Sequence, residues 1–260
     1  MEYDDIQPAL KGTGFVCRGG FRPGPDDAVP GISSGISGGN NAVVVIIGNA
    51  GSEMWPHFEA ATTGEQRASQ PNPLNDWTAE VMGPVAEKLG ARVHYPFDRP
   101  YHPFQRWAMK ADTVWQSPLG PLIHPDYGLW HAYRAALVFE PGFDIPDRAS
   151  QKNPCDTCAD RKCLKTCPVD AYQGGQYDVP VCVRHIATSE GQTCVDLHCL
   201  ARRACPVGRT EVYDPAHAQF HMSKFLANAV KRFRIDIPQA AADRISGDSV
   251  SASTTSGGSI

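Results

Sequence analysis

Eight of the nine cysteines in this 260-residue chain fall between positions 155 and 205. The first four read Cys155-x2-Cys158-x4-Cys163-x3-Cys167 and are followed by Pro168. The second four are Cys182, then Cys194-x4-Cys199-x5-Cys205, followed by Pro206, while Cys17 stands apart. Thiolates are ligands for soft metal centres and carriers of redox chemistry, and such close spacing lets one loop present several of them together. The opening MEYDDIQPAL has no basic region ahead of an apolar run, so it does not resemble a secretory leader. The longest strongly apolar run, Ala42 to Ile47, is too short to span a bilayer, which argues against a membrane partner. A cytoplasmic setting is therefore expected. Disulfides are rare there, which leaves metal or redox chemistry as the reading of the thiols.

Structural zinc also uses four-cysteine sets, but typically as two separated pairs, and Cys163-x3-Cys167-Pro168 departs from that pattern. The two groups resemble the C-x2-C-x2-C-x3-C-P runs of bacterial two-cluster ferredoxins, with two extra residues in one gap of the first group and wider gaps in the second. In that family the fourth cysteine of each run ligates the other cluster. The resemblance implies two 4Fe-4S clusters, one on Cys155, Cys158, Cys163 and Cys205 and the other on Cys182, Cys194, Cys199 and Cys167. His185 and His198 lie among these cysteines and are expected in surface or hydrogen-bonding roles, since eight thiols already suffice. Arg161, Lys162, Lys165, Arg202 and Arg203 could offset the charge of an anionic cluster or form a docking rim for an acidic electron donor.

Residues 122–147 read LIHPDYGLWHAYRAALVFEPGFDIPD. This stretch resembles the cobalamin-processing proteins of the methylmalonic aciduria type C family, which carry a similar I-H-P-x-[FY]-G-x-W-x-A-x-R run before an apolar strand and Pro-Gly. GTGFVCRGGF, NNAVVVIIGNAGSEMWPHF and NPLNDWT agree in order with that family. The resemblance implies a flavin-reductase/nitroreductase-like α/β domain that binds cobalamin, with His124, Gly128, Trp130 and Arg134 as candidate cofactor-binding residues. Arg134 matches an arginine that binds glutathione in that family, whereas the family's other glutathione arginines have no match here. The overall order is similar to that of epoxyqueuosine reductases and reductive dehalogenases, a corrinoid-binding domain followed by a two-cluster module. Asp112-Thr113 matches only part of the reductases' Asp-Ser-Ala-Pro motif, so the catalytic acid's role is not carried over.

These groups need elements to hold them. AVVVIIGNAG reads as a buried strand, NPLNDWTAEVMGPVAEKLG as a helix kinked or split at Pro84, and ARVHY and AYRAALVFE as strands. Strand, helix and strand imply an α/β layer over residues 1–150. Residues 151–236 form the cysteine module, expected to be a small α+β ferredoxin-like domain. It ends in a helix started by Asp214-Pro215, with Met222, Phe225, Leu226, Ala229, Val230 and Phe233 on one face. The Gly/Ser/Pro-rich GPDDAVPGISSGISGGNN reads as a long loop, and residues 237–260 as a disordered tail.

The sequence thus points to an iron–sulfur redox protein whose clusters pass electrons to a corrinoid or similar small cofactor held by the first domain. It would be supplied by an electron-donor protein such as a reductase, flavodoxin or ferredoxin. A ferredoxin-like carrier whose first domain only docks a partner enzyme, and a zinc-stabilised interaction protein, are the alternatives. A formal net charge of −4 argues against nucleic acid as a partner.

Overall fold

The computed structural model describes residues 2–32 and 42–246. Among the described residues six strands, β1 (Val16–Phe21), β2 (Val43–Ala50), β3 (Arg92–His94), β4 (Trp115–Gln116), β5 (Leu122–Ile123) and β6 (His131–Phe139), lie in the first 139 residues. α1 (Ile6–Ala9) precedes them, and α2 (Trp55–Ala61), α3 (Gly64–Ser69), α4 (Pro73–Lys88) and α5 (Phe104–Ala111) run between them. The main sheet has the order β1-β2-β6-β3, every neighbouring pair antiparallel, while β4 and β5 form a separate hairpin.

β2 is buried at all eight positions because both faces of the sheet are covered. Val43, Val45 and Ile47 face a core built from Phe15, Met54, Phe58, Trp77 and Met82, and Val44 and Ile46 face a second core with Phe104 and Trp107. β6 alternates in the same way, with Ala135, Leu137 and Phe139 on the first face and Ala136 and Val138 on the second. This two-residue period explains the unbroken apolar run of β2: no position on it reaches water. α4 runs through Pro84 without a break, since Trp77, Met82 and Val85 anchor both its halves in the first core.

The rest of the described chain is helical: α6 (Val179–Ile186), α7 (Gln192–Asp196), α8 (Leu200–Arg203), α9 (Pro215–Phe233) and α10 (Gln239–Ser246), with short 3-10 turns. The α+β expectation for residues 151–236 is corrected here, because among the described residues no strand follows β6. The longer gaps between the cysteines, Cys167 to Cys182 and Cys182 to Cys194, are taken up by a 3-10 turn, α6 and the start of α7. The chain expected to be disordered from 237 forms α10, whose Ala241 is buried against the α6–α9 core. Residues 33–41 of the expected glycine-rich loop and residues 247–260 of the expected tail lie outside the described residues.

α9 joins the two halves. Its Phe220 packs on Trp55 and Phe58 with ring centroids 5.4 Å apart in each case. Met222, Leu226 and Ala229 are buried with Val183, Ile186 and Cys194. Among the described residues no helix is long and apolar enough to cross a membrane.

Candidate functional site

The fold sorts the eight thiols into two groups that cross their order in the sequence. Cys155, Cys158, Cys163 and Cys205 line one small recess. Cys167, Cys182, Cys194 and Cys199 line a cavity of about 670 Å³. Burial, and then the neighbouring thiols of the same group, push Cys155 above the usual thiol range. Burial raises Cys182 to about 12, with Cys199, Cys167 and Cys194 adding to the rise against a lowering hydrogen bond from Tyr177. Such thiols lose their protons readily only when a cation compensates the charge, as happens on metal binding.

Short local devices position each sulfur. Asn153 Oδ1 accepts the Cys155 N–H at 3.0 Å. Cys182 rides on α6, whose first turn is capped by Asp178 accepting the Val181 N–H at 3.0 Å. Cys194 sits on α7, and Cys199 immediately precedes α8. Donors then turn toward the sulfurs: the Ala171 N–H to Cys167 at 3.3 Å, and backbone N–H groups of Leu164, Leu200 and Val207 to Cys163, Cys194 and Cys205. Tyr177 OH bonds Cys182, and Tyr172 OH lies 3.8 Å from Cys199 Sγ.

This donor set fits iron–sulfur clusters, whose sulfurs are held by four thiolates and tuned by such hydrogen bonds. A zinc ion with Zn–S near 2.3 Å would draw its four sulfurs to about 3.8 Å from one another. Among the described residues no three of the thiols stand within 4.8 Å of one another, so no such compact set is present.

The cavity beside the second group is closed from the other side by the first half of the chain. Gln116, Leu119, Gly120 and Pro121 of the β4–β5 hairpin line it, together with Leu129, His131 and Ala132 at the start of β6. α9 supplies His221, Met222 and Phe225, and the segment around α8 supplies His198, Arg202 and Ala201. Arg202 stacks over Trp130 and Tyr213 at 4.4 and 4.8 Å and donates to the Leu129 carbonyl. It therefore points inward rather than forming part of a basic rim. His198 accepts the Cys199 N–H at Nδ1 (2.8 Å) and meets Arg202 Nη1 at Nε2 (3.0 Å), a hydrogen-bonding role.

His131, His198 and His221 have pKa values held well below the usual range, by burial first and by nearby arginines and histidines second. The wall thus carries neutral imidazoles and a fixed positive charge at Arg202. Behind it, His217 Nε2 lies 3.0 Å from His221 Nε2, and Ser52 Oγ lies 3.0 Å from His217 Nδ1. Sequence reasoning missed this pair, although His217-x3-His221 is a spacing that puts both rings on one helix face.

The four candidate cofactor residues of the first half do not line the cavity, and each has partners elsewhere in the fold. His124 Nδ1 accepts the N–H groups of Asp126 and Tyr127 and its ring stacks on Tyr127, which fixes the HPDYG turn. Gly128 has φ +57, and a Cβ there would lie 2.1 Å from the Val207 carbonyl oxygen. Trp130 is buried with Tyr213 and Ala218 beneath Arg202. Arg134 is the unpaired residue at the bulge where the β2–β6 register shifts between Ile47 and Gly48, and its Nε donates to Asn49 Oδ1 at 3.4 Å. Asp112 is likewise occupied, 2.6 Å from Arg18 Nη2 and accepting the Tyr133 OH at 3.0 Å.

No protein-family model and no curated protein matches this chain. Among the solved structures it resembles is a selenomethionine-labelled epoxyqueuosine reductase, with 16% identity, a TM-score of 0.43, and coverage of 68% of this chain and 52% of that one. This chain thus spans about half the length of that protein. An epoxyqueuosine reductase with an epoxyqueuosine-modified tRNA-Tyr stem loop matches with 15% identity, a TM-score of 0.48, and coverage of 93% and 88%. The enzyme from Bacillus subtilis, with its catalytic loop swung out of the active site, matches with 16% identity, a TM-score of 0.41, and coverage of 74% and 65%. Against the expectation that nucleic acid is an unlikely partner, the second of these epoxyqueuosine reductases is one that holds a tRNA stem loop. Net charge sums over the whole surface, and residues 152–236 carry 12 Lys/Arg against 9 Asp/Glu within a chain of net −4.

Proposed function

We propose that this chain is a cytoplasmic iron–sulfur redox protein holding two 4Fe-4S clusters, which passes electrons to a small cofactor, a corrinoid by preference, in the cavity beside the second cluster. The flavin-reductase/nitroreductase-like character of residues 1–150 belongs to the same proposal. The observation that carries it is the sorting of eight thiols into two groups of four, with the second group lining a cavity whose other wall is the first half of the chain.

The clusters would supply one-electron transfer. The chain's own contribution is to hold and tune them. Backbone amides at Cys163, Cys167, Cys194 and Cys205 bond the sulfurs and favour the more reduced, more negative state. Arg161 beside Cys155 acts in the same direction. Leu119, Leu129, Met222 and Phe225 make the cavity wall apolar, which excludes water from the electron's exit. Arg202 is placed to attract a negatively charged edge of a ligand, such as a carboxylate or phosphate. His131 and His221, kept neutral by burial, can accept hydrogen bonds there without adding positive charge.

The experiment is an anaerobic reconstitution with iron and sulfide counted, followed by titration with cob(II)alamin under visible and electron paramagnetic resonance spectroscopy. About eight irons per chain are expected, with about four lost in Cys163→Ala and about four in Cys199→Ala. A change in the corrinoid spectrum supports the cavity as its site. Eight irons without that change leave an electron carrier whose first half docks a protein, and iron unaffected by either substitution overturns the thiol assignment.

A further inference from the structure

A second constellation stands apart from the thiols, in the loop that leaves β3 and enters α5. His94 ends β3, and Asp98 and His102 follow at intervals of four residues. The loop folds back so that Asp98 Oδ2 lies 3.9 Å from His94 Nδ1 and 3.6 Å from His102 Nε2. One ligand atom from each residue can be chosen so that all three lie within 4.8 Å of one another, and among the described residues no other group of this kind occurs. Both separations from Asp98 exceed hydrogen-bonding distance. The three groups therefore converge on a shared point instead of pairing off.

That point has the dimensions of a metal ion. Zinc bonds imidazole nitrogen and carboxylate oxygen at 2.0–2.2 Å, which sets tetrahedral ligand atoms about 3.4 Å apart. The two separations from Asp98 need shifts of a few tenths of an ångström, and all three ligand atoms already lie within 4.8 Å of one another. The supporting groups are those a metal site needs. The Tyr95 N–H donates to Asp98 Oδ2 at 2.8 Å and fixes the carboxylate. The Trp107 ring stacks on His102 at 5.5 Å and 17° and fixes that imidazole. The other ring nitrogen of His94, Nε2, is buried with no hydrogen-bond partner among the described residues, so Nδ1 is the nitrogen that faces Asp98. The two imidazoles are 18% and 9% exposed and the carboxylate 32%, so the open side lies at Asp98, where water can reach.

We propose that His94, Asp98 and His102 form a binding site for a divalent transition-metal ion, zinc by its donor set, with one coordination position left to water. Two imidazoles and one carboxylate suit zinc or iron(II) and leave a position open, whereas closed structural zinc sites use four protein ligands. The site is separate from the thiol groups and stands whether or not they hold clusters. Its immediate consequence is that the ion would tie the loop over residues 95–103 back to the edge strand β3.

The test uses anaerobic, cluster-loaded protein equilibrated with Zn2+, with zinc and iron counted together and the zinc neighbours read by X-ray absorption. The expected result is one zinc per chain with nitrogen and oxygen neighbours at about 2.0–2.2 Å, no sulfur, and iron unchanged. Asp98→Asn and His102→Ala are each expected to weaken zinc binding by at least about tenfold, since even loss of an outer partner of a metal ligand costs 10–100-fold. Asp98→Asn keeps an acceptor for the Tyr95 N–H, so it separates loss of the ligand from loss of the loop. Zinc with sulfur neighbours, zinc bound equally by wild type and both variants, or no zinc retained by wild type overturns the proposal.

Discussion

Gly128 and Gly208 pack back to back across the junction between the two halves of the chain. A Cβ on Gly128 would lie 2.1 Å from the Val207 carbonyl oxygen, and one on Gly208 2.3 Å from the Tyr127 carbonyl carbon. Both residues have positive φ, +57 and +68. The loop that follows Cys205-Pro206 is thus pressed against the HPDYG turn, with no room for any side chain between the backbones. Gly208→Ala must displace one of them, in addition to a left-handed backbone cost of about 1–2 kcal/mol. It is expected to lower the thermal midpoint and to release iron selectively from the group containing Cys205. Gly83→Ala, in an open position inside α4, is the control and is expected to be neutral or stabilising by up to about 1 kcal/mol.

The tyrosine hydroxyls at the second thiol group should set its potential. Tyr177 bonds Cys182, and Tyr172 lies beside Cys199. Removing a hydrogen bond to a cluster sulfur makes reduction harder. Tyr177→Phe is therefore expected to leave the iron content unchanged and to shift one of two potentials to a more negative value in a redox titration. A shift of both, or of neither, would show that the hydroxyl does not act on the second group alone.

The Arg18–Asp112 pair is buried, with side chains 2% and 9% exposed. Breaking such a pair by removing one partner costs about 3–5 kcal/mol, because the other charge is stranded. Asp112→Ala should unfold at markedly lower denaturant concentration. The Arg18→Met/Asp112→Leu double variant should regain most of that loss. If Asp112 were a catalytic acid facing the cavity, the single change would instead spare stability and abolish turnover.

Acid should destabilise the fold through His217. Burial first, and the charges of Arg134 and Arg202 second, lower its pKa to about 3. An unfolded histidine titrates near 6.5, so between about pH 6.5 and 3 the unfolded chain binds a proton that the folded chain refuses. Stability from this group is complete above about pH 6.5 and is lost as the pH falls, at up to about 1.4 kcal/mol per pH unit. Denaturant unfolding at pH 7 and 5.5 should show a drop that is smaller by about 1 kcal/mol in His217→Gln.

The parts of this fold that the sequence discloses are those whose signal is local. β2 is legible as an apolar run, β6 as another run ended by Pro141-Gly142, and α9 from its cap and its four-residue period. The cysteines are legible from their spacing, but the exchange of Cys167 and Cys205 between the two groups is implied only by the ferredoxin resemblance, since each joins thiols from the other stretch of chain. Pro84 misleads, since its local penalty is outweighed by the burial of α4 on both sides of it. The cavity is hidden from such reasoning, because its wall is assembled from the β4–β5 hairpin, β6, α8 and α9, segments up to about a hundred residues apart. Arg134 illustrates the limit: its strand can be read, but the bulge that leaves it unpaired is a property of the partner strand's Gly48, which approaches the Ala132 carbonyl too closely for any side chain.

The position of α9 in the chain has a consequence for biosynthesis. Every cysteine of both groups precedes it, Cys205 by ten residues, whereas His221, Met222 and Phe225 of α9 complete the cavity wall. Chains emerge from the ribosome N-terminal end first, at about 5–20 residues per second. The thiols are therefore presented before the helix that covers them exists, which leaves an interval in which a maturation factor can reach the second group from the side that α9 later shuts. On the proposed two-cluster reading, a permuted chain that placed α9 ahead of Cys155 would close that interval and would have to take up its cluster through the finished cavity.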